Sequence, residues 1–499
     1  MTGRQPSLAG KKPLKSIYQT DFFLSLKING VHKIKIVQRM MTFTCRVRLI
    51  GMLISISMAA QAQRSAVLEQ YVQLGLGNNL ALQQQDWQVR KAQASVQQAK
   101  ALYYPSFQFE ANYMRATGGR RIQFPVGDLV NPIFANLNLL NELVQPGSPD
   151  YPTDVPNVNE QFLPDDFHET KVRFSYPLFN TDLKYNRLIR QELYESQAAQ
   201  KEAYAHELRY RITSAYLSYL QTIEAEKIWL NSRNVLAELR RFNESLVQHH
   251  VATREVIATA DYELSKAESE IARLRGAQNT ARAYFNYLLH RDLQSEVAID
   301  TTLMQPAEAA YALEPLLAHA LSERKEFSAL QAGIRAAETD VRRHAANLHV
   351  PDFYLGGEIG FQGFGYRFDG EQAYALVRVG MVYDLFDGGL RRSRTQEARM
   401  ETERLRTQLA DAQQQVALQV TEGWNAWQAA QQAYAAAQAG VRAAEETYRI
   451  VNNKYRANQL LLIEWLDAQN RLTTAQLQRA LAWYDVLQKE AALRRAAGL

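Results

Sequence analysis

The chain has 499 residues, with 57 Lys and Arg against 52 Asp and Glu and a single cysteine. Residues 1–62 hold ten of the basic residues and one acid, so the remainder carries 47 basic and 51 acidic side chains, a formal net charge of −4. The basic surplus is therefore no argument for nucleic acid, Cys45 cannot build a disulfide framework, and no later segment has the apolar length of a membrane-spanning helix.

Taken from the N-terminus, a secretory signal occupies about residues 41–62. Arg46 and Arg48 form its charged start, LIGMLISISMAA (49–60) its apolar core and Ala60-Gln61-Ala62 its small-residue cleavage site. A membrane anchor is the alternative, but this run is short for about 30 Å of hydrocarbon. Residues 1–40 read as an over-extended start. An exported remainder without cysteine suits a bacterial envelope.

Beyond residue 62 the chain is written twice, as residues 63–300 and 301–499. Each half reads as a helix, two strands and a long helical hairpin, an architectural unit that completes its core beside its twin. Pro105 and Pro351 precede the first strand of each half. The second strands, VRFSYPLFN (172–180) and VRVGMVYDLFD (377–387), hand over to helices at Phe179 and Phe386, the latter followed by Gly388 and Gly389. The hairpin turns are HHVATREVIATADYEL (249–264) and ANQLLLIEWLDAQNRL (457–472).

The strands are expected at about 106–116, 170–180, 352–362 and 373–386. In the first, Phe107, Phe109, Ala111 and Tyr113 alternate with Gln108, Glu110 and Asn112, and in the second Val172, Phe174 and Tyr176 oppose Lys171, Arg173 and Ser175. In the third, Phe353, Leu355, Ile359 and Phe361 oppose Glu358; in the fourth, Val377, Val379 and Met381 oppose Arg378. This period of two at about ten residues fits a tilted strand that crosses a bilayer, and equally a soluble sheet with one wet face. Four strands cannot close a pore, so in lipid several chains must pool them. Between the strands, 116–169 reads as a long loop rich in Pro, Asn and Asp, and 362–372 as a short aromatic one. GFQGFG (360–365) has no lysine and no following helix, so it reads as a strand running into a loop.

Helices are expected at about 184–249 and 255–290 in the first half and 390–457 and 460–493 in the second, led in by shorter helices at 80–104 and 325–349. All fourteen prolines lie at or before Pro351, with none from 179 to 304, which permits helices of roughly 100 Å. Alanine dilutes their apolar face, as in WNAWQAAQQAYAAAQAGVRAAEE (424–446). A coiled-coil dimer would favour Leu and Ile at a narrow seam; this broader face suits a helix with neighbours on two sides.

On the duplicated order, the two proline positions, the PLF and DLFDGG strand ends (177–179, 384–389) and the two hairpin turns, the chain resembles the TolC family of outer-membrane efflux ducts. The resemblance implies a mainly α fold with a small membrane β-barrel. In it, a homotrimer forms a 12-stranded barrel in the outer membrane and a 12-helix α-barrel tunnel through the periplasm. It implies a passive duct with no cofactor, metal or catalytic residue and no nucleic-acid partner. Its partners would be itself, outer-membrane lipid, a periplasmic adaptor and an inner-membrane pump of RND, ABC or MFS type. It also places a gate at the hairpin turns: Glu464 and Asp467 match two acidic pore-lining positions, and Tyr455 matches a tyrosine that helps hold the tip closed. Trp465 and Leu466 would face away into packing, and threefold symmetry would gather the acids around a narrow pore that favours cations. Four positions depart from the family. His250 and Asn458 stand where its turns have glycine, Val256 (beside Glu255) replaces an acid, and Leu460 replaces a bracing arginine. With Val251, these turn residues are the expected adaptor contact.

Two other classes fit less well. A periplasmic adaptor would have one hairpin and a compact β module rather than two hairpins and four amphipathic strands. An exported enzyme would need a nucleophile set, metal spacing or nucleotide loop, and His249-His250 has no matching partners.

Overall fold

The computed structural model describes residues 65–304 and 311–499; the expected signal and the residues before it lie outside the described residues. The chain begins with α1 (Ala66–Asn78) and α2 (Leu80–Ala101). Asn79 separates them: its side chain accepts from the amides of Ala81 and Leu82, and its own amide donates to the carbonyl of Leu288 at 2.9 Å. One side chain thus caps a helix and ties it to a segment 209 residues away.

The remaining elements of the first half are β1 (Ser106–Met114), β2 (Arg121–Phe124), α3 (Val126–Val144), β3 (Val158–Gln161), β4 (Phe167–Phe179), α4 (Thr181–Gln248) and α5 (Glu255–Leu288). A 3-10 turn (Thr301–Met304) follows. The second half has α6 (Leu313–Glu323), α7 (Lys325–Ala346), β5 (Asp352–Phe364), β6 (Ala373–Val382), α8 (Leu390–Arg456) and α9 (Leu462–Ala497). The helices α4 and α8 run for 68 and 67 residues, roughly 100 Å each. No helix among the described residues is long and apolar enough to cross a membrane.

The main sheet is antiparallel in the order β1-β4-β5-β6. Each strand joins a helix directly, and the helices keep the same lateral order. Near the strands, α2, α4, α7 and α8 pack side by side; nearer the turns the order is α5, α4, α9 and α8. The result is one slab, four units wide from end to end. Its free edges are β1 with α2 and α5 on one side, and β6 with α8 on the other.

Burial follows from that order. At mid-height α4 buries Ile212, Tyr216 and Leu220 against Val72, Phe285, Leu289 and Tyr484, each such apolar side chain contributing about 1.5–3 kcal/mol. A parallel cluster in the second half joins Phe327, Val420, Trp427 and Leu493. At the strand-helix corners, the Asp387 carboxylate accepts from the amides of Gly389 and Arg391 and pairs with the Arg391 side chain at 2.7 Å. Gly388 and Gly389 take positive φ there, 65° and 88°, a conformation glycine adopts without a Cβ clash. In the first half Asn180 caps α4 through the amide of Leu183, just after the register shift between Pro177 and Phe179.

Two expectations change. The segment 116–169 is not an irregular loop: it folds into the β2–β3 ribbon and the 19-residue α3. Asn131 exchanges two hydrogen bonds with the backbone of Val155, and Asn138 does the same with Tyr151. The two amides act as a strand partner for the chain that returns past the helix. The last strand ends at Val382, so Phe386 lies outside it and is 89 % exposed; the glycine pair and Asp387 make the corner instead.

Asn79→Ala removes a cap and a buried cross-link together. Thermal unfolding of the folded protein is expected to show a loss of about 1–2 kcal/mol.

Candidate gate at the helical turns

Both long helices end in the same hydrogen-bond pattern. After α4, the amide of His250 bonds the carbonyl of Val247 and that of Val251 reaches back to Leu246; after α8, Asn458 bonds Tyr455 and Gln459 reaches Lys454. These are paired Schellman closures, which place the residue after the cap in the left-handed region. His250 has φ 60° and Asn458 φ 55°. The turns therefore keep a glycine-type backbone without glycine. Asparagine tolerates it readily; a histidine there holds strain of order 1 kcal/mol or more.

Below the turns, the two hairpins are bolted together. Tyr455 on α8 is buried, and its hydroxyl donates to Asn243 Oδ1 on α4 at 2.8 Å. Asn243 is fully buried, and its amide donates to the carbonyl of Val256 on α5 at 3.2 Å. Around this path Tyr455 contacts Phe242 and Trp465, and Trp465 contacts Tyr448. The Trp465 indole donates to Asn452 at 3.0 Å. Leu236, Leu239, Ala267 and Leu466 complete the cluster. Burial pushes the Tyr455 hydroxyl above its ordinary value of 10.0. The protonated, donating form is thus favoured in the fold. The clasp is fully present below the ordinary tyrosine value and weakens only as pH rises above about 10.

The expected acids stand on the opposite face of α9. Glu464 and Asp467 are exposed, whereas Trp465 and Leu466 are buried. Glu464 lies in the first turn of α9 and accepts from the amide of Leu461 at 3.0 Å, where a carboxylate also complements the helix dipole. Asp467 pairs with Arg471 at 2.9 Å. That pair is largely exposed and weak as a stabiliser, but it cancels one charge, so this face carries one net negative charge per chain rather than two. Leu460 is half-buried, Glu255 and Val251 are exposed, and Leu461 and Ile463 add apolar surface beside the turn.

Sequence reasoning missed Asn243, Asn452 and Arg471. Asn243 had a signal: in LAELRRFNESL it occupies the helix phase of Leu236 and Leu239, a polar residue on the apolar stripe. Arg471 stands four residues after Asp467, a readable ion-pair spacing.

Among the described residues, the slab leaves β1 and β6 without a strand neighbour and carries an apolar strand face and two hairpin tips. Residues 316–499 match the family described as outer membrane efflux protein. No curated protein matches the chain by sequence. Among solved structures the fold is similar to the outer-membrane channel OprN, at 18 % identity and TM-score 0.68 over 87 % of this chain and 90 % of that one. It is similar to the outer membrane protein VceC from Vibrio cholerae, at 16 % identity and TM-score 0.68 over 88 % and 97 %. The Campylobacter jejuni CmeC outer membrane channel matches at 14 % identity and TM-score 0.68 over 87 % and 86 %. The fold is thus that of these outer-membrane channels, and the family match lies within residues 316–499.

Substitutions at two positions test the tip. Tyr455→Phe leaves the buried Asn243 oxygen unpaired, a cost of about 1–3 kcal/mol; hydrogen exchange is expected to quicken at residues 243–258 and stay unchanged in the sheet. His250→Gly relieves backbone strain and is expected to leave thermal stability equal or higher, whereas His250→Val lowers it by about 1–3 kcal/mol.

Proposed function

We propose that this protein is the passive exit duct of a tripartite efflux or type I secretion system, seated in the bacterial outer membrane and reaching into the periplasm. The observation that carries the reading is the shared order of strands and helices across one open slab. A sheet edge in lipid must be paired, and the two edges here differ, so copies join head to tail and close into a ring. Three copies pool twelve strands into a barrel, and the helices continue it as a tunnel. The apolar face with Phe107, Phe109, Ile359, Val377 and Val379, all strongly exposed in the single chain, meets outer-membrane lipid.

The duct performs no chemistry in this reading. An inner-membrane pump drives the cargo, and a periplasmic adaptor docks on the turns, where Val251, Leu461 and Ile463 offer exposed apolar contacts. The tip opens when the hairpins part, and the Tyr455–Asn243–Val256 path is the clasp within each subunit. Because that clasp uses neutral groups, salt is not the lever that opens it. Three copies of the Glu464 face leave a ring of surplus negative charge, which favours cations.

Conductance of the detergent-extracted protein in planar bilayers tests this. Wild type is expected to give small, cation-preferring steps, Glu464→Gln to lose the preference, and Arg471→Gln to strengthen it. A folded preparation that conducts nothing would overturn the duct.

A further inference from the structure

The sheet's second face carries a cluster that the gate does not use. Lys171 on β4 lies 2.6 Å from Glu169, 3.1 Å from Glu358 on β5 and 3.8 Å from Glu110 on β1. Arg173 bridges Glu110 at 3.0 Å and Glu358 at 2.9 Å, and Arg378 on β6 reaches Glu358 at 3.8 Å. The network crosses all four strands. Its centre is withdrawn from solvent even in one chain: the Lys171 and Glu358 side chains are 7 % and 10 % exposed.

Charge and shape are both notable here. The six side chains comprise three carboxylates and three cations, so the network sums to zero. The long side chains lie flat because β5 offers glycine opposite them. Gly360 is the register partner of Lys171 and Gly356 that of Arg378. A Cβ on Gly360 would fall 2.3 Å from the Thr170 carbonyl oxygen and 2.6 Å from Lys171 Cα and Cβ, and one on Gly356 would fall 3.3 Å from Arg378 Nε. A larger residue at position 360 would displace the β4 backbone that carries Lys171, and one at position 356 would crowd the Arg378 side chain. Period-two alternation sets this face opposite Phe109, Ile359 and Val377, so in a membrane barrel it faces the lumen.

We propose that this network is a charge-balanced belt lining the barrel stretch of the duct, which keeps that stretch from selecting solutes by the sign of their charge. The belt rests on the duct reading above. It presents alternating charges held flat against the wall, so cargo of either sign meets no net field and an unobstructed bore. Discrimination by charge is left to the helical tip. The balance depends on the three cations, since losing any one leaves a surplus carboxylate per chain and three around the ring.

Bilayer measurement of the potassium-to-chloride permeability ratio tests the belt in a Glu464→Gln background, where the tip face is neutral. That background is expected to be nearly non-selective. Adding Lys171→Met is expected to raise the ratio several-fold toward cations, and adding Glu169→Gln to shift it toward anions. Arg378→Gln serves if Lys171→Met fails to fold, because Arg378 is half exposed and touches the network only at its rim; it too is expected to shift the ratio toward cations. Conducting channels whose ratio is the same with and without these changes would overturn the belt. Absence of conductance from folded wild type would overturn the duct reading and the belt with it.

Discussion

The unpaired edges of β1 and β6 are the constraint on which the rest depends. Each edge presents backbone N–H and C=O groups that have no strand partner among the described residues, and hydrocarbon supplies none. A soluble protein can leave such an edge to water or guard it with charge. Here the residues beside the edges are Phe107, Phe109, Val377 and Val379, exposed by about 70 % or more, which water penalises as well. Pairing β1 of one copy with β6 of the next satisfies both demands together. Because the helices follow the strand order, the proposed closure would also set α2 and α5 of one copy beside α8 of its neighbour and would continue the barrel as a tunnel without a new interface type.

Along this wall the chemistry changes with height. The sheet buries charge against charge around Lys171, the middle is held by aromatic packing at Tyr216 and Phe285, and the tip relies on neutral hydrogen bonds through Asn243. A buried ion network of good geometry is rigid and costly to break by halves. A neutral clasp with two hydrogen bonds is worth far less, about 1 kcal/mol for each bond. The region expected to move is therefore the one with the weaker fastening, as local stability in switching elements requires. The left-handed His250 stores a little strain in the same place.

Much of this was legible in the sequence because it is written in short periods. Alternation at Phe107–Tyr113 and Val377–Met381 gives the two faces of the sheet, and uninterrupted helical phase without proline gives α4 and α8. The turns were legible through their positions, though not their Schellman geometry. What escaped depends on contacts between distant segments. Asn243 and Tyr455 are 212 residues apart, and nothing local in either names the other. The Lys171 network draws on four strands whose register only the sheet fixes. The helix α3 was hidden for a different reason: Pro132 lies inside it, and the surrounding Pro and Asn residues have low helix propensity, so its stability comes from the Asn131 and Asn138 bonds to the returning chain. The expected end of β6 at Phe386 overran because apolar alternation continues past the point where pairing with β5 stops at Asp352–Val382.

Head-to-tail closure is the central claim, and thiol cross-linking along the two edges tests it most directly. Cys45 is the only native cysteine and falls in the expected signal, so introduced thiols report without background. Cysteine pairs would join Phe107 or Phe109 on β1 to Val377, Val379 or Met381 on β6, with each single variant as its control. The account predicts that single variants stay uncross-linked, while a pair in register gives a covalent ladder that stops at three copies. Cross-linked dimers from a single-cysteine variant would show like edges meeting, and would contradict it.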